Sequence, residues 1–291
     1  MRFRISSIGS IFVMRRAVAL LALPLIFVAT LVSPAGAAQG PTTTNPTAGM
    51  SLVFNQGFSG TTLNSTVWST CYEWYNPAVG CTNYGTGEIE WYLPSQDLVS
   101  GGVLHEVANE TPTPGTNQAG AAETYPYTSG MVTTFNSFSF TYGYVSVVAE
   151  LPGGAGTWPA IWMLAENGVW PPEIDIMENY GSTNQIQTTV HWGAANTQAY
   201  ANVTTSANLT TSYNTYGVLW TPTSLTWYLN GKAVFSYSGV GVPNTPMYLL
   251  ANLAMDGVGA ATSSFNIQSV QIYQTPTSTG PTGPTGPGRR R

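Results

Sequence analysis

Charge is what this 291-residue chain has least of: Asp, Glu, Lys and Arg together make up 7% of it. The basic residues are Arg2, Arg4, Arg15, Arg16, Lys232, Arg289, Arg290 and Arg291, so the interior keeps a single lysine. All thirteen acids fall between Glu73 and Asp256, which leaves residues 51–274 with a formal balance of −12. Such a surface cannot neutralise phosphates or anionic lipid headgroups, and nucleic-acid binding is excluded on that count. Cysteine is nearly absent too. Cys71 and Cys81 are the only pair and lack partners for a metal site, but ten positions apart they can close a surface loop as a disulfide in an oxidising compartment. The interior has no apolar run of about 18 residues and is rich in Thr, Ser, Asn, Gln and Gly, which excludes a spanning helix there. It also shows no long 3.6-residue periodicity.

Short runs of β-branched and aromatic residues alternating with polar ones, bounded by Gly, Asn, Pro and Ser, take its place. Tyr144 to Leu151 alternates for most of its length, and Asn230-Gly231 between Leu225–Leu229 and Lys232–Phe235 is a strong hairpin signal. Many such strands in one domain of this size predict an all-β fold of two packed antiparallel sheets.

The ends differ in kind. Residues 1–37 read as a secretory signal peptide: Arg15-Arg16, sixteen mostly apolar residues from Ala17 to Val32, then small residues that fit cleavage near Ala37. Residues 38–50 form a Pro/Thr/Gly linker and residues 275–291 a Gly-Pro-Thr tail, which brackets a catalytic domain over 51–274. The expected product is a secreted, extracellular monomer with no membrane attachment after signal removal.

The segment Trp170-Pro-Pro-Glu173-Ile-Asp175-Ile-Met-Glu178 holds three of the thirteen acids within six residues of an otherwise apolar strand. Glu173 and Asp175 point to one face of an extended strand while Ile174 and Ile176 point to the other. One extra residue at Ile176-Met177, a β-bulge, would bring Glu178 onto the face of the other two. Three close carboxyls cannot all ionise freely at neutral pH, so they titrate as a coupled set. Retaining glycoside hydrolysis needs such a set, with one carboxylate as nucleophile and a second as acid and then base. Calcium binding is the competing use of an acid row, but calcium favours ligands from a flexible loop.

Around this strand lie Tyr127-Thr-Ser-Gly130, Phe138–Gly143, Leu151-Pro152, Thr157-Trp-Pro-Ala-Ile-Trp-Met-Leu164, Thr189-Val-His-Trp192, Tyr216–Trp220 and Pro246–Leu250. In these motifs the chain resembles the family 16 glycoside hydrolases, the laminarinase-like endo-β-glucanases. The resemblance implies a concanavalin-like jelly roll with its cleft on the concave face. It makes Glu173 the nucleophile, Glu178 the acid/base and Asp175 the residue tuning the nucleophile. It also places Trp158, Trp162 and Trp170 as sugar platforms and His191 as a substrate or acid/base contact. His105 is read as structural. No cofactor is required. The structural calcium of many relatives is in doubt here, because an Asp-Glu pair is replaced by Gln56-Gly57 and a late-strand Asp by Gln268. Many relatives have Arg where this chain has Met131.

A sulfated galactan would need Lys or Arg to offset its charges, so the expected partner is a neutral polysaccharide, β-1,3-glucan or β-1,3/1,4-glucan. Agarase or transglycosylase activity on the same scaffold and a non-catalytic, lectin-like glycan-binding domain are the alternatives. With one lysine there are few ion pairs to lose on acidification, so stability is expected to depend weakly on pH.

Overall fold

The computed structural model describes residues 45–74 and 81–276. The export signal, most of the first linker and nearly all of the Gly-Pro-Thr tail lie outside the described residues. The first strand, Ser51–Gln56, pairs antiparallel with the last, Thr262–Gln274.

Two sheets carry the fold. Among the described residues the larger has ten strands: eight run in order from Lys232–Ser238 through Ser224–Leu229, Asn214–Trp220, Gly143–Glu150, Thr262–Gln274, Val103–Asn109 and Tyr127–Ser129 to Glu90–Tyr92, while Ser51–Gln56 and Asp97–Ser100 pair off this path with Thr262–Gln274 and Val103–Asn109. The smaller has six, in the order Thr197–Thr204, Gln185–Trp192, Glu173–Glu178, Thr157–Ala165, Met247–Met255, Met131–Thr133. The ladders are antiparallel except the three-residue pairing of Glu90–Tyr92 with Tyr127–Ser129. The hairpin turn forms where Asn230-Gly231 marked it, with both residues at positive φ, 52° and 74°, as a turn matched to strand twist requires.

Alternation decides what each sheet buries. Ile161, Met163, Leu249, Ala251 and Leu253 of the smaller sheet face Val145, Val147, Tyr216, Val218, Trp227 and Ile272 of the larger, and together they form the main core. The opposite side chains of the two central strands, Ala160, Trp162, Leu164, Tyr248 and Leu250, pack in a second cluster with Tyr72, Cys81, Tyr92 and Met131. The smaller sheet is thus covered on both faces at one end. That is why Met247–Met255 is buried at all nine positions with no polar alternation. The other end of the same face stays open and forms the cleft.

Cys71 and Cys81 are joined in a disulfide. Native protein should therefore yield no alkylatable thiol by mass spectrometry without reductant, and two labelled cysteines would contradict the pairing. Reduction should lower stability by about 2–3 kcal/mol on the loop-entropy account, because the closed loop is short.

Candidate active site

The acidic strand carries the bulge that its spacing required. Ala160 pairs with Glu178 and Ile161 with Met177, but Trp162 pairs with Asp175, so Ile176 is the extra residue. Ile174, Ile176 and Met177 all point into the main core, while Glu173, Asp175 and Glu178 line one cleft. A bulge takes backbone groups out of the ladder. Here the carbonyl of Asp175 accepts a 2.8 Å hydrogen bond from the indole N–H of Trp227 in the other sheet, which pins the irregular strand from below.

Each outer carboxylate is held by an indole. Trp170 Nε1 donates to Glu173 Oε2 at 2.6 Å, and Trp158 Nε1 donates to Glu178 Oε1 at 3.1 Å. Tyr180 adds a second bond to Glu178 Oε1 at 2.9 Å. Both bonds fall on one oxygen of Glu178, which leaves Oε2 for a substrate. Pro171 and Pro172, which have no N–H to give a ladder, separate the loop carrying Trp170 from the strand.

Asp175 sits between them, 3% exposed. Burial, then the neighbouring charges of Glu173 and Glu178, hold its carboxyl well above the usual range, and it hydrogen-bonds Glu173. Its protonated form is therefore favoured relative to that of a solvent-exposed aspartate. Burial also raises Glu178, partly offset by its bonds from Tyr180 and Trp158. His191 closes the group: Nε2 lies 3.1 Å from Asp175 Oδ2 and 3.9 Å from Glu173 Oε1, while Nδ1 lies 2.8 Å from Asn196 Oδ1. Glu173, Asp175 and His191 offer ligand atoms within 4.8 Å of one another, a donor set wide enough for a cation. Burial, which favours the protonated form of Asp175, works against that use.

The cleft has a volume of about 700 Å³, within the usual range for ligand sites. Trp158, Trp162, Trp170 and His191 all line it. Their settings differ. Trp170 is 54% exposed at the rim, and Trp158 is half-buried beside Tyr180, ring centroids 5.3 Å apart. Trp162 is only 8% exposed, and its N–H is taken by Asn252 Oδ1 at 2.7 Å, so it offers the cleft little of its ring face. His105 bonds to Ser100 and Asn266, outside the cleft lining.

The network beneath Trp162 had no signature in the sequence. Asn252 Nδ2 donates to Tyr92 Oη at 2.9 Å and Tyr92 Oη to Glu88 Oε2 at 3.2 Å, with Glu90 fully buried beside them. Asp97 and Glu106, paired across adjacent strands, are buried as well. Burial raises all four of these carboxyls, and for Glu90 and Glu106 the neighbouring acid adds to the rise. The formal −12 therefore includes carboxyls whose burial favours the protonated form.

Comparison with known proteins agrees with this architecture. The family model described as "Glycosyl hydrolases family 16" matches residues 104–270, and that of the "Beta-glucan synthesis-associated protein SKN1/KRE6/Sbg1" matches residues 27–171. An endo-1,3-1,4-beta-glycanase of Rhizobium meliloti, EglC, is 37% identical over 202 residues, which cover 67% of this chain and 43% of that protein. A glucan endo-1,3-beta-glucosidase of Niallia circulans is 30% identical over 247 residues, 74% of this chain and 35% of the relative. The chain thus spans less than half the length of these relatives. Among solved structures, the catalytic domain of a laminarinase from Thermotoga petrophila superposes with a TM-score of 0.67 at 25% identity, covering 77% of this chain and 98% of that one. SCLam, a non-specific endo-beta-1,3(4)-glucanase, gives 0.69 at 27% identity, with 81% and 96% covered. On the breadth of the family match, with a jelly roll whose cleft holds the carboxyl row, this chain belongs to the glycosyl hydrolases of family 16.

Proposed function

We propose that this chain is an exported, endo-acting, retaining glucanase that cleaves β-1,3-glucan or mixed β-1,3/1,4-glucan by double displacement. The observation that carries the reading is the division of labour along one strand: two cleft-facing glutamates, each anchored by its own tryptophan N–H, with a buried aspartic acid between them. Glu173 attacks the anomeric carbon while Glu178 passes its proton to the departing glycosidic oxygen, which leaves a glycosyl ester on Glu173. Glu178, now a carboxylate, takes a proton from water as the water oxygen attacks the same carbon, and the ester breaks with net retention. The raised range of Glu178 suits the first step, which needs it protonated. Asp175 holds its proton toward Glu173 and limits charge on the nucleophile until the oxocarbenium-like centre forms.

Two features favour a neutral glucan. No Lys or Arg is among the described residues lining the cleft, so none of these would offset sulfate or carboxylate groups as a guanidinium or ammonium does. The relatives and solved neighbours described above carry names of β-1,3- and β-1,3(4)-glucan-cleaving enzymes. Export is supported by the signal-like N-terminus and the disulfide. A transglycosylase would use the same residues, and product analysis separates it from a hydrolase.

The test is reducing-sugar release from laminarin, lichenan, agarose, carrageenan and xyloglucan. The expected outcome is release from laminarin, from lichenan or from both, with medium-length products appearing early. Release from agarose or carrageenan alone would contradict the substrate assignment, and binding without release from any of the five would favour the lectin-like alternative.

A further inference from the structure

We infer that Trp74, on the loop closed by the Cys71–Cys81 disulfide, is an additional sugar-stacking platform that extends the cleft beyond the carboxyl row on the side next to Glu173. The inference rests on the glucanase reading above for the chemistry of its ligand, a neutral pyranose ring of the bound polymer. Trp74 is 42% exposed, although an indole in a chain of this composition would ordinarily be buried. Its ring lies flat on Tyr72, with centroids 4.4 Å apart and planes inclined by 7°.

Tyr72 is 3% exposed and meets the rings of Tyr92 and Trp162 edge-on, at 5.7 and 6.1 Å. One face of Trp74 is therefore backed by the aromatic floor beneath the cleft. The disulfide at Cys71 and Cys81 closes the loop that carries the stack. A large aromatic face fixed in this way and left in contact with solvent is set up for a partner with an apolar face, and the C–H face of a sugar ring is one.

Position supports the same partner. Trp74 lines the same cleft as Glu173, Asp175 and Glu178. The adjacent residue, Glu73, reaches the loop that carries Trp170: a Cβ at Gly168, where φ is +70°, would lie 3.4 Å from Glu73 Oε1. Glu73, next to Trp74, thus abuts the loop that carries Trp170. The same lining carries Asn83, Thr86 and Gln118, polar groups that can hydrogen-bond the hydroxyl rim of a ring stacked on the indole, together with Glu88, which accepts from Asn83 and Thr86.

The experiment pairs kinetics with binding. For Trp74→Ala, kcat/KM on laminarin should fall about tenfold through KM, the equivalent of one good aromatic contact. The loss should shrink progressively on shorter β-1,3-oligosaccharides, and Trp74→Phe should restore most of it. Binding is read separately by comparing Glu173→Gln with Glu173→Gln/Trp74→Ala in native gels containing laminarin, where the second substitution should reduce retention. If the wild-type chain releases no sugar, the glucanase reading fails while the gel comparison still judges the platform. Unchanged retention together with an unchanged length profile would overturn the platform. So would an equal loss at every chain length accompanied by a lowered Tm, since that is the signature of a structural tryptophan.

Discussion

Glu173→Ala is expected to lose glucan hydrolysis by a factor of about 10⁴ or more, and Glu178→Ala by about 10² to 10⁴, with melting temperatures close to that of the parent. Both side chains face the cleft and neither fills the core, so no cavity opens when they are shortened. The two losses should differ in kind. Azide added to Glu173→Ala occupies the space of the missing nucleophile and should restore turnover with an inverted glycosyl azide. Azide added to Glu178→Ala should attack the glycosyl ester and give a retained product. The reverse pattern would exchange the two roles. Asp175→Asn keeps the volume but changes the proton held between Glu173 and His191, and should cost up to about 10²-fold in kcat.

The second large effect concerns pH. Scarce ion pairs alone predict a flat stability curve, but the fold buries carboxyls, and these change the expectation. Glu73, Glu88, Glu90, Asp97, Glu106, Asp175 and Glu178 are all raised, with burial the first cause in each. A carboxyl raised in the folded state binds its proton more tightly there than in the unfolded chain. Below the unfolded value, near pH 4, it imposes no penalty. As pH climbs from there toward the folded value, stability falls by about 1.4 kcal/mol per pH unit for each proton that the folded state keeps and the unfolded chain has lost, a count set by the buried groups and not by the half-exposed Glu73. The melting temperature is therefore expected to be higher at pH 5 than at pH 8, by about 5 °C or more.

Asp97 and Glu106 should account for much of this difference, since both are buried, they face each other across adjacent strands, and neither oxygen of Glu106 has a hydrogen-bond partner. Glu106→Gln, which removes the charge and keeps the shape, should raise the Tm at pH 8 and flatten the curve. A Tm that drops steeply below about pH 5, or a Glu106→Gln variant less stable than the parent at pH 8, would contradict this.

What could be read from the sequence, and what could not, divides along physical lines. The acidic strand was legible because two signals met in it. Alternation fixed the inward face of Ile174 and Ile176, and the odd offset of Glu178 called for one extra residue, which is Ile176 in the ladder. Asn230-Gly231 was legible because two consecutive positive-φ residues suit few other turns. Trp162 is set by contacts that no local pattern carries. It shares a motif with Trp158 and the same strand face, but Asn252 and Tyr72 from distant segments bury it. Burial set by remote partners leaves no local pattern. The same holds for Glu90, Asp97 and Glu106, which read as surface charge until the sheet closes over them. Trp74 is the opposite case, an indole with nothing local to distinguish it until Tyr72 and the disulfide are seen beside it.

The central claim, double displacement through Glu173 with Glu178 as acid and then base, is tested most directly by the configuration of the first-formed sugar. Proton NMR of laminarin or lichenan digestion in its first minutes reads the anomeric signal of the new reducing end before mutarotation. The account predicts that the β-anomer appears first and the α-anomer grows in later. An α-anomer in the earliest spectra would mean inversion by direct attack of water and would contradict the assignment of Glu173 as nucleophile.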